Sequence, residues 1–173
     1  MNYMSPDNKW IGKPTIRPDG IEKVTGSAQY AADYTMPGMV WGKVLRSPHA
    51  HALIKKIDTS KAEALQGVLA VMTGADLPTL PLDVPLPTGP NDIRWISRGC
   101  MAQEKILYVG HPIAAVAATS QEIAIAALDL IEVDYEVLPH VIDVDEAVAP
   151  GAPILHDWIK TEGIDGPTNI SNI

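Results

Sequence analysis

The sequence contains no phenylalanine and a single cysteine among 173 residues. One cysteine permits no internal disulfide, which fits a reducing compartment, and one thiolate is fewer than an iron-sulfur cluster needs. No stretch approaches the roughly 20 apolar residues of a membrane-spanning helix. The opening MNYMSPDNKW has neither the basic nor the apolar segment of a secretory signal. Positive charge is scarce as well. Lys and Arg number 13 against 21 Asp and Glu, for a net charge of −8, and no basic run is longer than Lys55-Lys56. Nucleic acid and anionic membrane both reward clustered cations, so neither is an expected partner. The expectation is a soluble, cytoplasmic, single-domain protein, long enough to bury a core without disulfide or metal staples.

Turn chemistry is plentiful, with 13 Gly and 15 Pro. The first 20 residues are polar, hold three prolines and read as a surface arm. After Met36-Pro37-Gly38, the runs Met39–Leu45 and Ala52–Ile57 read as two strands, or as one strand bent at Pro48. Asp58-Thr59-Ser60 offers helix caps before Lys61–Gln66, and Gly67 suits the residue that must take positive φ at a helix end. Val68–Thr73 reads as a strand. Between Asp76 and Gly99 five prolines, at 78, 81, 85, 87 and 90, deny the backbone its donors and predict a long loop. Regular structure resumes at Lys105–Val109, and Ile113–Ala118 has the small apolar character of a buried strand. Ser120 caps a helix over Gln121–Leu130, whose inward face is read as Ile123, Ala126, Ala127 and Leu130. Ile131–Leu138 alternates apolar and charged residues, as a half-exposed strand does. The pattern predicts a mixed-sheet α/β (α+β) fold with two short helices. It divides into an arm over 1–20, a domain over 21–150 and a tail or linker over 151–173.

Candidate chemistry is thin. His49 and His51, two apart on a strand, would share a face at about 6.5 Å, close enough for one metal ion. Such a site needs a third ligand from Asp33, His111, His140 or His156, and the competing reading is a hydrogen-bonded or interfacial histidine pair. Cys100 lies near Arg98, which favours a thiolate, but no histidine beside it makes an obvious base. Glu132, Asp134 and Glu136 fall on one strand face and read as solvated surface. Gly20–Gly26 lacks the spacing of a phosphate-binding loop. The residues alone reach an acidic α/β domain with a partner-seeking loop that carries Leu80, Leu82, Val84, Leu86 and Trp95.

Several segments in order carry a resemblance. The strings DGIEKVTG (19–26), Ala28-Gln29-Tyr30 with Asp33, RSPHAHA (46–52), VMTGAD (71–76), VGHPIA (109–114) and EVDYEVLP (132–139) resemble the opening of the molybdenum-binding chain of the xanthine dehydrogenase and aldehyde oxidase family. The details look most like bacterial xanthine dehydrogenases and 4-hydroxybenzoyl-CoA reductases. The resemblance implies an α/β hammerhead domain, the first part of a longer oxidoreductase chain. For the complete enzyme it implies a molybdopterin-type molybdenum cofactor, [2Fe-2S] clusters and FAD. It implies partners in downstream molybdopterin-binding domains and in iron-sulfur and FAD subunits, and the isolated chain is expected either to self-associate or to leave residues 77–99 mobile. No catalytic, cofactor-binding or metal residue carries over to these positions. Arg46, His49, His51, Trp95, His111 and Trp158 remain as structural or interfacial candidates. The other class of function left open is a stand-alone binding module, or a small metal-dependent hydrolase using His49 and His51.

Overall fold

The computed structural model describes residues 10–78 and 93–156. The chain divides into two compact units, residues 1–39 and 40–173. In the first unit, helix α1 (Gly20–Thr25) begins at Asp19, whose carboxylate accepts hydrogen bonds from Arg17 at 2.5 Å and Lys23 at 2.7 Å. It stops at Gly26, which takes a left-handed φ of 76°. A single 3-10 turn, Ala31–Asp33, follows, and no described residue of this unit is buried.

Among the described residues the second unit holds six strands. They are β1 (Trp41–Arg46), β2 (Ala52–Asp58), β3 (Val68–Thr73), β4 (Lys105–Ile106), β5 (Pro112–Ala118) and β6 (Glu132–Val137). Among them run helices α2 (Ser60–Glu63), α3 (Ile93–Cys100) and α4 (Gln121–Asp129), with α5 (Val144–Ala147) after β6. The mixed α/β fold and the order of strands follow the sequence pattern, but the strands do not share one mixed sheet. They form two three-stranded sheets, β1-β5-β3 and β4-β2-β6, in which every pairing is antiparallel. The split falls just after Ser47, which makes the last main-chain bonds of β1 to Gly110 and His111; a turn that includes Pro48 follows, and the chain re-enters as β2 in the other sheet.

Two cores result. Ala114 and Val116 of β5 face Ala62, Ala127 and Ile131, with Leu45, Val68, Val71 and Leu128 around them. Ala52, Ala102, Ile106 and Ile113 form the other, and Ile57 and Val133 touch both. Each fully buried Ile contributes about 1.5–3 kcal/mol. The alanines of β5 bring the helices close to the strand.

Two close approaches depend on glycine. Gly67 has φ 96°, and a Cβ there would lie 2.7 Å from Ile123 Cδ1. A Cβ on Gly74 would lie 2.2 Å from the Ala102 carbonyl oxygen.

Three expectations need correction. Residues 93–99 are not loop but most of α3. All five prolines lie at or before position 90, so the backbone donors of IRWISRGC are intact and a helix is free to form. The helices therefore number more than two, with short ones at α1 and α5 besides. The inward face of α4 is Ala124 and Ala127, with Leu128 and Leu130 partly covered, while Ala126 is exposed. A helix reading QEIAIAALD is apolar on nearly every side, so its periodicity left the face undecided. The cap itself is as expected, with Ser120 Oγ accepting the Ile123 N–H at 3.3 Å. Among the described residues no helix is long and apolar enough to cross a membrane.

Candidate functional site

Three of the motif segments meet at one junction. At the end of β1, Ser47 is buried and folds its own turn, its Oγ accepting the His49 N–H and donating to the His49 carbonyl, both at 3.0 Å. The Ser47 main chain binds the second segment. Its N–H donates to the His111 carbonyl at 2.9 Å, and its carbonyl accepts the Gly110 N–H at 2.8 Å. Arg46, exposed, donates through Nη1 to the Gly110 carbonyl at 2.9 Å. Gly110 makes this turn possible with φ 85°. The third segment closes on His51, whose carbonyl accepts the Leu138 N–H at 3.0 Å.

The histidines serve the backbone. His111 is fully buried, and its Nδ1 accepts the Leu107 N–H at 3.2 Å. Its Nε2 therefore carries the proton and donates to the Arg98 carbonyl at 2.9 Å. Burial holds His111 below the ordinary histidine range, against an opposing pull from the carbonyls of Arg98 and Gly99. His51, 6% exposed, lies 2.7 Å through Nδ1 from the Pro139 carbonyl, which only accepts, so Nδ1 bears the proton. Its Nε2 is buried and makes no hydrogen bond among the described residues. His49 is half-buried, and its ring meets Tyr135 edge-on at 4.9 Å. Burial raises the Tyr135 phenol above its usual range.

The sequence reading placed His49 and His51 as structural or interfacial candidates, with a shared metal ion as the alternative. In the fold their rings have separate partners, a tyrosine and a carbonyl. Among the described residues no group of three or more His, Cys, Asp or Glu side chains is placed to hold a metal ion. Cys100 is exposed at the end of α3. Trp158 and the apolar residues at 80, 82, 84 and 86 lie outside the described residues, and of Trp95 only its place in α3 is described. Glu132, Asp134 and Glu136 are all exposed, as expected. Two of them meet lysines, in the ion pairs Lys61–Glu132 and Lys55–Glu136. Lys56, Asp58, Glu132, Val133 and Asp134 line an open depression of 250 Å³. The Asp58 carboxylate there is held well below the usual range by Ser60 and Lys56.

Two residues of the junction were not legible beforehand. The Ser47 main chain and the Tyr108 hydroxyl, which donates to the Gly99 carbonyl at 2.9 Å, act on backbone groups that only the fold brings near; Ser47 lies in the RSPHAHA string without being marked for this, and Tyr108 lies just outside VGHPIA.

The pattern of the family described as aldehyde oxidase and xanthine dehydrogenase, a/b hammerhead domain, covers residues 25–139, so the chain belongs to that family. The carbon monoxide dehydrogenase large chain of Afipia carboxidovorans is 44% identical over 150 residues, which is 87% of this chain and 18% of that protein. A probable xanthine dehydrogenase component of Bacillus subtilis is 43% identical over 149 residues, 85% of this chain and 19% of the relative. A crystal structure of the Cu,Mo-CO dehydrogenase in its carbon monoxide reduced state superposes with a TM-score of 0.67 at 36% identity, over 87% of this chain and 18% of that one. The chain thus spans about a fifth of the length of the relatives it matches. It is a hammerhead domain of the xanthine, aldehyde and carbon monoxide dehydrogenase oxidoreductases.

Proposed function

We propose that this chain is a scaffold domain of a molybdenum-containing hydroxylase and supplies no catalytic residue, cofactor ligand or metal ligand of its own. The observation that carries the reading is how the histidines are used. Both ring nitrogens of His111, and Nδ1 of His51, are committed to main-chain groups. Arg46, Ser47, His51 and His111 direct their polar side-chain atoms at main-chain groups of their own or neighbouring segments, which favours a structural role. Support for molybdenum comes from the Cu,Mo enzyme that shares the fold. In the complete enzyme a molybdopterin-type cofactor would supply oxygen-atom transfer to a carbon of a heterocycle or aldehyde, or removal of a ring hydroxyl from an aromatic thioester, with [2Fe-2S] and FAD groups on companion domains or subunits. The described residues do not fit such a group, and no step of that chemistry runs through them. The partners are then the molybdopterin-binding remainder of the large chain and the iron-sulfur and FAD subunits, in the cytoplasm.

The reading is tested by metal analysis of the assembled oxidoreductase that contains this sequence. Molybdenum and iron in stoichiometric amounts are expected there, and neither metal in residues 1–173 expressed alone. Molybdenum held by residues 1–173 alone, or an assembly devoid of it, overturns the reading. The metal-dependent hydrolase alternative gains no support, since His49 packs edge-on against Tyr135 and His51 is turned to Pro139.

A further inference from the structure

In an antiparallel ladder directly paired residues point to one side and successive residues alternate. In the sheet β1-β5-β3, Leu45, Ala114, Val116 and Val71 point to the side covered by the helices. The residues between them build the opposite side in two cross-strand rows. Val44, Ala115 and Met72 make one row, and Gly42, Ala117 and Ala70 the other. None of the six is polar. Val44 and Met72 are each 38% exposed, and Gly42 and Ala70 are exposed as well.

The second sheet supplies the internal comparison. Its strands β2 and β6 pair Leu53 with Glu136, Lys56 with Asp134 and Asp58 with Glu132, and five of those six residues are charged. That is how a sheet face meets water: apolar inward, polar outward. Both sheets come from one chain with 20% charged residues. In the first sheet the two rows carry no charge, the next residue on that side of β1 being Arg46, which is tied to the Gly110 carbonyl, and a partly exposed apolar surface of that kind marks an interaction site.

We infer that the Gly42, Val44, Ala70, Met72, Ala115 and Ala117 face is the surface on which the remainder of the oxidoreductase large chain docks. This rests on the functional reading above. The relatives place this domain in chains of which it makes up only 18–19%, so most of the protein that must pack around it lies outside these residues. A nucleic acid or anionic membrane would need clustered cations, and the two rows have none beyond Arg46 at their edge. Four of the six residues are Gly or Ala, which let an opposing helix or strand bring its backbone close.

The test uses the assembled oxidoreductase in a Cys100→Ser background, with either Met72→Cys or Asp134→Cys. Maleimide labelling of each is read against the same protein unfolded in urea. Met72→Cys is expected to label at least fivefold more slowly than Asp134→Cys. A smaller difference overturns the docking face. A disulfide joining two copies through Met72→Cys assigns the face to a second copy and also overturns it. If the cysteine variant does not assemble, hydroxyl-radical oxidation of Met72 in the unmodified enzyme replaces it, with at least fivefold protection relative to the urea-unfolded protein expected and less than that overturning the docking face. Molybdenum is measured on the same sample. Molybdenum with a freely labelled Met72→Cys removes the docking face and keeps the functional reading, whereas absence of molybdenum removes the functional reading and the named occupant with it.

Discussion

Tyr108 and His111 stack with ring centroids 4.4 Å apart and planes 27° from parallel, and each donates a hydrogen bond to one of two successive carbonyls near the end of α3. The Tyr108 hydroxyl takes the Gly99 carbonyl at 2.9 Å, and His111 Nε2 takes that of Arg98, also at 2.9 Å. The last carbonyls of a helix have no intrahelical donor. Here two aromatic side chains from the turn before β5 supply one to each, which ties α3 to the sheet. Truncating Tyr108 to Phe removes one of those donors while keeping the stack. The expected loss is about 0.5–1.5 kcal/mol, measured by urea unfolding. No change in the midpoint would show that water serves the Gly99 carbonyl equally well.

The pH response of His111 follows from its two bonds. Nδ1 must stay unprotonated to accept the Leu107 N–H, and burial lowers the folded-state pKa below the ordinary value of 6.5. The unfolded chain takes up its proton first as pH falls. Stability from this residue is therefore complete above about pH 6.5 and is lost as the pH drops below it toward the folded value, with a slope of at most about 1.4 kcal/mol per pH unit. Unfolding midpoints from pH 8 to 5 should fall more steeply for the native sequence than for His111→Gln, and parallel curves would refute the assignment.

Gly74 should not tolerate a side chain. With the Ala102 carbonyl oxygen 2.2 Å from a Cβ at that position, Gly74→Ala forces main chain apart, at an expected cost of about 1–3 kcal/mol. Thermal unfolding of the variant checks this. A gain in stability would mean that the two segments part freely.

Replacing His49 and His51 together by asparagine should alter stability and leave bound zinc unchanged from the native protein. The amide of an asparagine at position 51 retains a donor for the Pro139 carbonyl, and the change removes the buried, unpartnered Nε2. His51→Asn alone should therefore cost less than His51→Ala. Zinc that is present in the native protein and lost from the double variant would favour the hydrolase.

Cys100 is exposed and terminates α3. Cys100→Ser is expected to stay within about 0.5 kcal/mol of the native protein and to leave the activity of the assembled enzyme intact. A loss of activity would give the thiol a role that its surroundings do not suggest.

Much of this architecture is already written in local patterns. Val68–Thr73 is a strand at the expected bounds and Ser120 caps α4, while Gly67 takes the expected positive φ but not at the helix end, because α2 stops at Glu63 and a turn carries the chain on to Gly67. Those features depend on side-chain alternation, a capping oxygen and a missing Cβ, all of which act over a few residues. The ordered motif strings likewise sufficed to indicate the family.

What sequence distance hides is which strands become neighbours. β1 and β2 are separated by five residues yet belong to different sheets, while Arg46 finds its acceptor at Gly110, 64 positions away. The use of His111 as a two-ended tie rather than a ligand, the edge-on contact of His49 with Tyr135 and the two uncharged rows on the outer face of β1-β5-β3 all depend on that pairing. Pairing is settled by burial of Ala114, Val116, Ile106 and Ile113 against residues distant in the chain, a cooperative choice that no local window contains.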